Sequence, residues 1–254
     1  MDSAKAPTNV GAFAFSLSLC QTESNTICAR LSLAHPVQTV MRKEIFVEDE
    51  YYHIYNRGVD KRIVFIDDRD RLRFLNTIYI LNNFLDIPYR FDIYGLKPLE
   101  DLVPQKPLVR VLAGCLMPNH FHLFLSQLQD KGISKLLHKI GVSYSMYFNK
   151  RHERNGGLFE RSFKAKLVDR DEYATYLTHY IHLNPMELFQ TRSGTKKDDI
   201  IKMVKSYPWS SLPDYLGQKS KFTLLLDHGF RDEVLGMGVD VYEKLLCETA
   251  ETRF

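Results

Sequence analysis

Two histidines stand one residue apart in "MPNHFHLFL", Met117 to Leu125, a run whose other residues are those of a buried β-strand. Side chains alternate along a strand, so His120 and His122 leave from one face while Phe121 leaves from the other. Two imidazoles on one face can bind one metal ion or one phosphate. They can also be two structural histidines, because His-x-His is short enough to arise by chance. A second pattern lies further on, in "YATYLTHYIHLNP", where Tyr173, Tyr176 and Tyr180 share a helix face and Asn184 follows Tyr180 by one turn. A tyrosine stripe at this spacing is more often core packing than catalysis. Yet a phenol with a carboxamide one turn away is also what a tyrosine nucleophile beside a metal requires: the phenol attacks and the amide oxygen completes the ligand set. Tyr176 is the second candidate nucleophile, but the residue one turn beyond it is Tyr180, a poor ligand, as Leu177 is for Tyr173. Helical geometry turns His179 and His182 away from the Tyr180–Asn184 face.

The elements that must position these groups follow from periodicity. "YYHIYNRG" (51–58) reads as a strand closed by a glycine turn. "DDRDRLRFLNTIYILNNFL" opens on aspartates suited to a cap and keeps helical spacing through Leu85, and a loop with Pro98, Pro104 and Pro107 follows. "LVRVLAGCLM" (108–117), a Pro118-Asn119 turn and "HFHLFLSQ" form a hairpin. "GISKLLHKIGVSYSMYFNKRHER" (132–154) is a long amphipathic helix and "SFKAKLVD" (162–169) a strand. "DRDEYATYLTHYIHLNP" is a helix capped by an aspartate and stopped near Pro185. The order β-α-β-β-α-β-α predicts an α+β fold, a ferredoxin-like (RRM-like) antiparallel sheet with helices packed on it. Beyond it, residues 191–254 read as a polar linker and a small helical C-terminal extension. Residues 1–40, with only Lys5, Arg30, Asp2 and Glu23 charged, read as a disordered extension or an upstream-start artefact with Met41 as the functional start.

Composition restricts the partners. Of 254 residues 44% are hydrophobic and 26% charged, as in a globular protein, and the net charge of +3 does not by itself announce a nucleic-acid binder. Residues 131–170 do, with ten Lys or Arg against Glu153, Glu160 and Asp169. Within that patch Lys150, Arg151 and Arg154 of "KRHER" and Arg161, Lys164 and Lys166 of "RSFKAK" are candidate DNA contacts, and Arg57 in "YNRG" is another. The nearby Tyr147, Phe148, Phe159 and Phe163 read as core. Four scattered cysteines with no CxxC pair argue for a reducing compartment and against a cysteine-based zinc site. No apolar run reaches membrane-span length, and "GAFAFSLSL" (11–19) lacks a basic leader and a cleavage site, so the cytoplasm is expected.

"YYHIYNRG", "CLMPNHFHLFL", "YFNKRHERNGGLFERSFKAKLV" and "YLTHYIHLNP", in this order, resemble the HUH tyrosine transposases that act on single-stranded DNA, and among them the REP-associated group. The likeness spans about residues 46–186, the expected catalytic domain (46–190), and "YPWSSLPDYLG" resembles the segment that often follows. It implies His120 and His122 as metal ligands, Tyr180 as the nucleophile and Asn184 as the third ligand, where insertion-sequence relatives commonly carry Gln. Glu160 stands where relatives often have Gln. The implied cofactor is Mg²⁺ or Mn²⁺ and the implied partner a hairpin-bearing or repeat-end single strand of DNA, cleaved and rejoined through a 5′-phosphotyrosine. Related enzymes work as dimers or as monomers; the extra C-terminal region favours the monomer here. Two other readings fit the same residues: a domesticated single-strand endonuclease on repeats, and a hairpin-binding module without chemistry.

Overall fold

The structure is a computed structural model and describes residues 45–83, 106–190 and 195–253. The N-terminal extension, Leu85, Pro98, Pro104 and the start of the polar linker lie outside the described residues. Residues 43–254 form one compact unit.

Four antiparallel strands, β1 (Tyr51–Arg57), β2 (Val109–Met117), β3 (His120–Gln127) and β4 (Lys164–Val168), line up in the order β2-β3-β1-β4. With α1 (Asp68–Leu81), α2 (Gly132–Arg151) and α3 (Asp171–His182) between and after them, the expected β-α-β-β-α-β-α order and the ferredoxin-like arrangement are observed. Alternation along β1 and β3 divides the sheet into two unlike faces. Tyr52, Ile54, Phe121, Leu123 and Leu125 are all buried on one side, where α1 and α2 pack; Phe74 of α1 sits 5.0 Å from Phe121 and 5.1 Å from Tyr144 of α2. The other face carries His53, Tyr55, Arg57, His120 and His122, because the register sets Tyr55 opposite His122 and Arg57 opposite His120. α3 covers that face.

Asp67 caps α1 as its sequence predicts, accepting from the Asp70 N–H at 3.1 Å. α3 differs: its N-cap is Arg170, which makes no side-chain cap bond, so the aspartate cap expected there is not formed. α3 also ends at His182, and Asn184 lies in the turn ahead of Pro185, whose ring ends the helix.

The C-terminal segment is built into the sheet rather than hung from it. Leu116 donates its N–H to the Trp209 carbonyl (2.8 Å), and Ser211 to that of Gly114 (2.9 Å), so residues 209–211 cover the outer edge of β2. α4 (Met186–Gln190), α5 (Lys197–Lys205), α6 (Leu212–Tyr215) and α7 (Val239–Glu251) follow. α7 is tied to α3 through fully buried His182, hydrogen-bonded to the Tyr242 and Ser211 hydroxyls at 2.7 Å each. Among the described residues β4, at the other end of the order, pairs with β1 alone.

Candidate active site

β3 delivers both imidazoles to the face under α3, and α3 lowers Tyr180 onto them. The His120 and His122 rings lie 5.1 Å apart at 87°, and Tyr180 meets His122 edge-on at 5.6 Å. The Asn184 carboxamide acts on the titration of both His120 and Tyr180, raising the one and lowering the other. The four residues picked from the sequence therefore share one pocket, although Asn184 comes from a turn and not from the helix face. Its position is fixed locally: Nδ2 donates to the Tyr180 carbonyl at 2.8 Å, which leaves Oδ1 for the site.

A hydrogen bond also sets the His120 tautomer. Asn119 gives its Nδ2 proton to the Lys61 carbonyl (3.2 Å), so its Oδ1, 2.6 Å from His120 Nδ1, accepts from that nitrogen. His120 Nε2 then carries a lone pair. His122 Nδ1 pairs with Nε2 of His53 at 2.8 Å, and where Nδ1 is the donor its own Nε2 keeps a lone pair. Burial, reinforced by neighbouring positive charge, pushes His122 down to about 2 and His53 to about 4; His120 is lowered too, by burial and then Arg57. All three are neutral at pH 7. Neutral imidazoles and a carboxamide are donors that suit a cation, and Asn119 and His53 are hydrogen-bonded to the two rings. Among the described residues no group of three or more His, Cys, Asp or Glu forms a metal site, so the carboxamide is needed to make a third ligand. Burial pushes the Tyr180 phenol above its ordinary value, opposed by Arg253, whose guanidinium carbon stands 5.0 Å over the ring.

Sequence reasoning missed several of these neighbours. His53 leaves β1 on the same face as Arg57, so strand alternation within "YYHIYNRG" was the available signal. Tyr55 stacks beside both His53 (4.9 Å) and His122 (5.8 Å). Glu187 and Arg253, which act electrostatically on Tyr180, come from α4 and the chain end and carried no local signal.

The candidate DNA contacts divide by layer. Arg57, Lys164 and Lys166 stand on the site face, Lys164 5.8 Å above Tyr55 and Lys166 4.5 Å above Tyr173. Lys150, Arg151 and Arg154 belong to the α2 end, behind the sheet, and Arg161 lies on the following loop. The Arg151 guanidinium is engaged by Asp67 at 2.6 and 2.8 Å and by Asp70 at 2.6 Å. Arg154 bonds Asn149 at 2.8 Å and lies 5.8 Å over Phe148. Lys150 and Arg161 are exposed. Tyr176, the alternative nucleophile, is 54% exposed and stacks on Tyr173. No described helix is long and apolar enough to cross a membrane.

No curated protein matches this chain. A solved structure titled "Structure of the REP associates tyrosine transposase bound to a REP hairpin" aligns at a TM-score of 0.45 and 10% identity, over 70% of this chain and 86% of that one. The family model described as "Transposase IS200 like" matches residues 102–184. That stretch holds β2, β3, α2, β4 and α3, and with them His120, His122, Tyr180 and Asn184. Across the segment that builds the pocket, the chain is similar to the IS200-like transposases.

Proposed function

We propose that this chain is a metal-dependent strand transferase that cleaves and rejoins hairpin-bearing single-stranded DNA through a 5′-phosphotyrosine on Tyr180. The family match supports a transposase, and with it DNA binding and recombination. The finer reading rests on one observation: a phenol from α3, with a carboxamide from the turn after it, stands against two neutral imidazoles from β3. His120, His122 and Asn184 would hold Mg²⁺ or Mn²⁺, which when bound polarises the scissile phosphate and fixes its place.

The remaining roles belong to the protein's own groups. Tyr180 Oη attacks phosphorus in line and gives up its proton; the bond to the 3′ oxygen breaks, and that oxygen departs as a 3′-OH after taking up a proton. Because the phosphodiester is exchanged for a phosphotyrosine ester, a second 3′-OH can reverse the step and join new ends without an outside energy source. Arg57, Lys164 and Lys166 hold the strand on this face by its phosphates.

A hairpin oligonucleotide with single-stranded flanks tests the reading on a denaturing gel in Mn²⁺ or Mg²⁺. A 3′ label shifts into a covalent protein adduct, a 5′ label leaves on a shorter strand, and EDTA abolishes both. Retention of the label only under native conditions means binding without chemistry and overturns the reading. His53→Ala removes the partner that orients His122, and is expected to weaken Mn²⁺ binding by about 10–100-fold in calorimetric titration while leaving the fold intact. Unchanged Mn²⁺ affinity would remove His53 from the site.

A further inference from the structure

Behind the sheet, on the side away from Tyr180, a groove of 360 Å³ runs between α2 and residues 157–163. Its aromatic walls are the half-buried rings of Phe159 and Phe163, with the buried Phe121 also lining it, and Asn56, Ser145 and Arg161 are among its polar groups. Three features are unusual for a surface that only packs. Gly141 lines the groove in the interior of the 20-residue α2, where glycine is the least favourable residue after proline. Packing does not require it, since a Cβ built there meets nothing within 4 Å. Arg161 is exposed and held at φ 33°, in the left-handed region that favours glycine. Asn56 accepts from the Arg57 N–H at 2.9 Å through Oδ1, which leaves its two Nδ2 protons as donors.

We infer that this groove is a second nucleic-acid site, taking an unpaired nucleobase of the strand whose phosphates lie at Arg57, Lys164 and Lys166. The inference rests on the DNA reading above and adds to it a place where a base, not only the backbone, is held. A flat aromatic ligand suits walls of phenylalanine rings, and a base stacks on such rings whatever its identity. A carboxamide with free donors matches the acceptor edges of a base. Arg161 supplies the charge complementary to the phosphate that must accompany the base. The volume is that of a small-ligand site, about 300–1,000 Å³. The absent side chain at position 141 gives the base room against the helix. Asn56 and Arg57 are neighbours on β1 that point to opposite faces, and β4 is an edge strand with no further strand on it among the described residues, so one strand can reach both faces by passing round it.

Fluorescence anisotropy of the full chain, made inert by Tyr180→Phe, compares a thymidine homopolymer with an abasic oligonucleotide of equal length. The homopolymer is expected to bind about tenfold more tightly. With Gly141→Leu, which fills the groove, that preference falls below about twofold while affinity for the abasic strand stays the same. Gly141→Leu melts no lower than the parent, because a side chain there adds helix propensity; should it unfold, Ser145→Leu fills the same groove from the next turn. A base preference that survives a folded groove-filling variant overturns the inference, as does an equal loss for both strands, which would mean that the groove grips backbone. If neither strand binds the unsubstituted chain, it is the DNA reading itself that fails.

Discussion

Tyr180→Phe is expected to eliminate the covalent DNA adduct and to lower strand cleavage by at least about 10³-fold, with DNA binding retained. The substitution removes only the hydroxyl. Its ring keeps its edge-on contacts with His122 at 5.6 Å and His53 at 6.0 Å and its place 5.0 Å beneath Arg253. Asn184 stays anchored, because its Nδ2 bonds the backbone carbonyl of residue 180, which the exchange does not touch. Binding of Mn²⁺ should therefore survive, and calorimetry on the variant separates loss of the nucleophile from loss of the site. Tyr176→Phe serves as the comparison: that side chain is half exposed and stacked on Tyr173, so cleavage is expected within about twofold of the parent. An adduct that persists in Tyr180→Phe and disappears in Tyr176→Phe would exchange the two roles.

The strand and helix order was legible because the hydrophobic period changes cleanly from one segment to the next. The alternation in "HFHLFLSQ" was enough to place His120 and His122 together. Three kinds of information were not local. Which face of the sheet an element covers depends on connection handedness and packing, so the ten basic residues of 131–170 looked like one patch although α2 and β4 place them in different layers. The carboxylate partners of Arg151 were equally hidden, because Asp67 and Asp70 sit at the start of α1, far away in sequence. Arg253, although within the extension, meets Tyr180 only because α7 returns along α3 through the Tyr242–His182 bond. His53 was readable and passed over: the alternation that paired the two later histidines also sends His53 and Arg57 to a common face of β1.

Asp70→Ala is expected to destabilise the protein by about 3–5 kcal/mol, a large part of the roughly 5–15 kcal/mol that holds a domain folded. Asp70 has no exposed surface, yet its carboxylate accepts from Arg151 at 2.6 Å, from the Tyr147 hydroxyl at 3.0 Å and from the Ile66 N–H at 3.0 Å, with His152 at 3.1 Å. Removing it leaves the Ile66 N–H without its acceptor, takes one acceptor from the Tyr147 hydroxyl and leaves a guanidinium half-paired at the α1–α2 contact, the layer that supports β3 from behind. Asp67 holds the other side of Arg151. That guanidinium, more than any other group, keeps the Asp67 carboxyl below the usual carboxylate range, although burial opposes it. Because the folded pKa is depressed, the contribution of Asp67 is complete above the unfolded value of about 3.9 and is lost as pH falls further. The carboxylate is nearly half exposed, so solvent keeps that acid-labile part small. Arg151→Met decides between scaffold and phosphate contact. As scaffold, it lowers the urea midpoint and leaves the slope of log affinity for single-stranded DNA against log salt unchanged. As a phosphate ligand, it would reduce that slope by about 0.7 for a single strand, with little change in stability. The first outcome is expected, because the guanidinium is already held by two carboxylates, on the far side of the sheet from Tyr180.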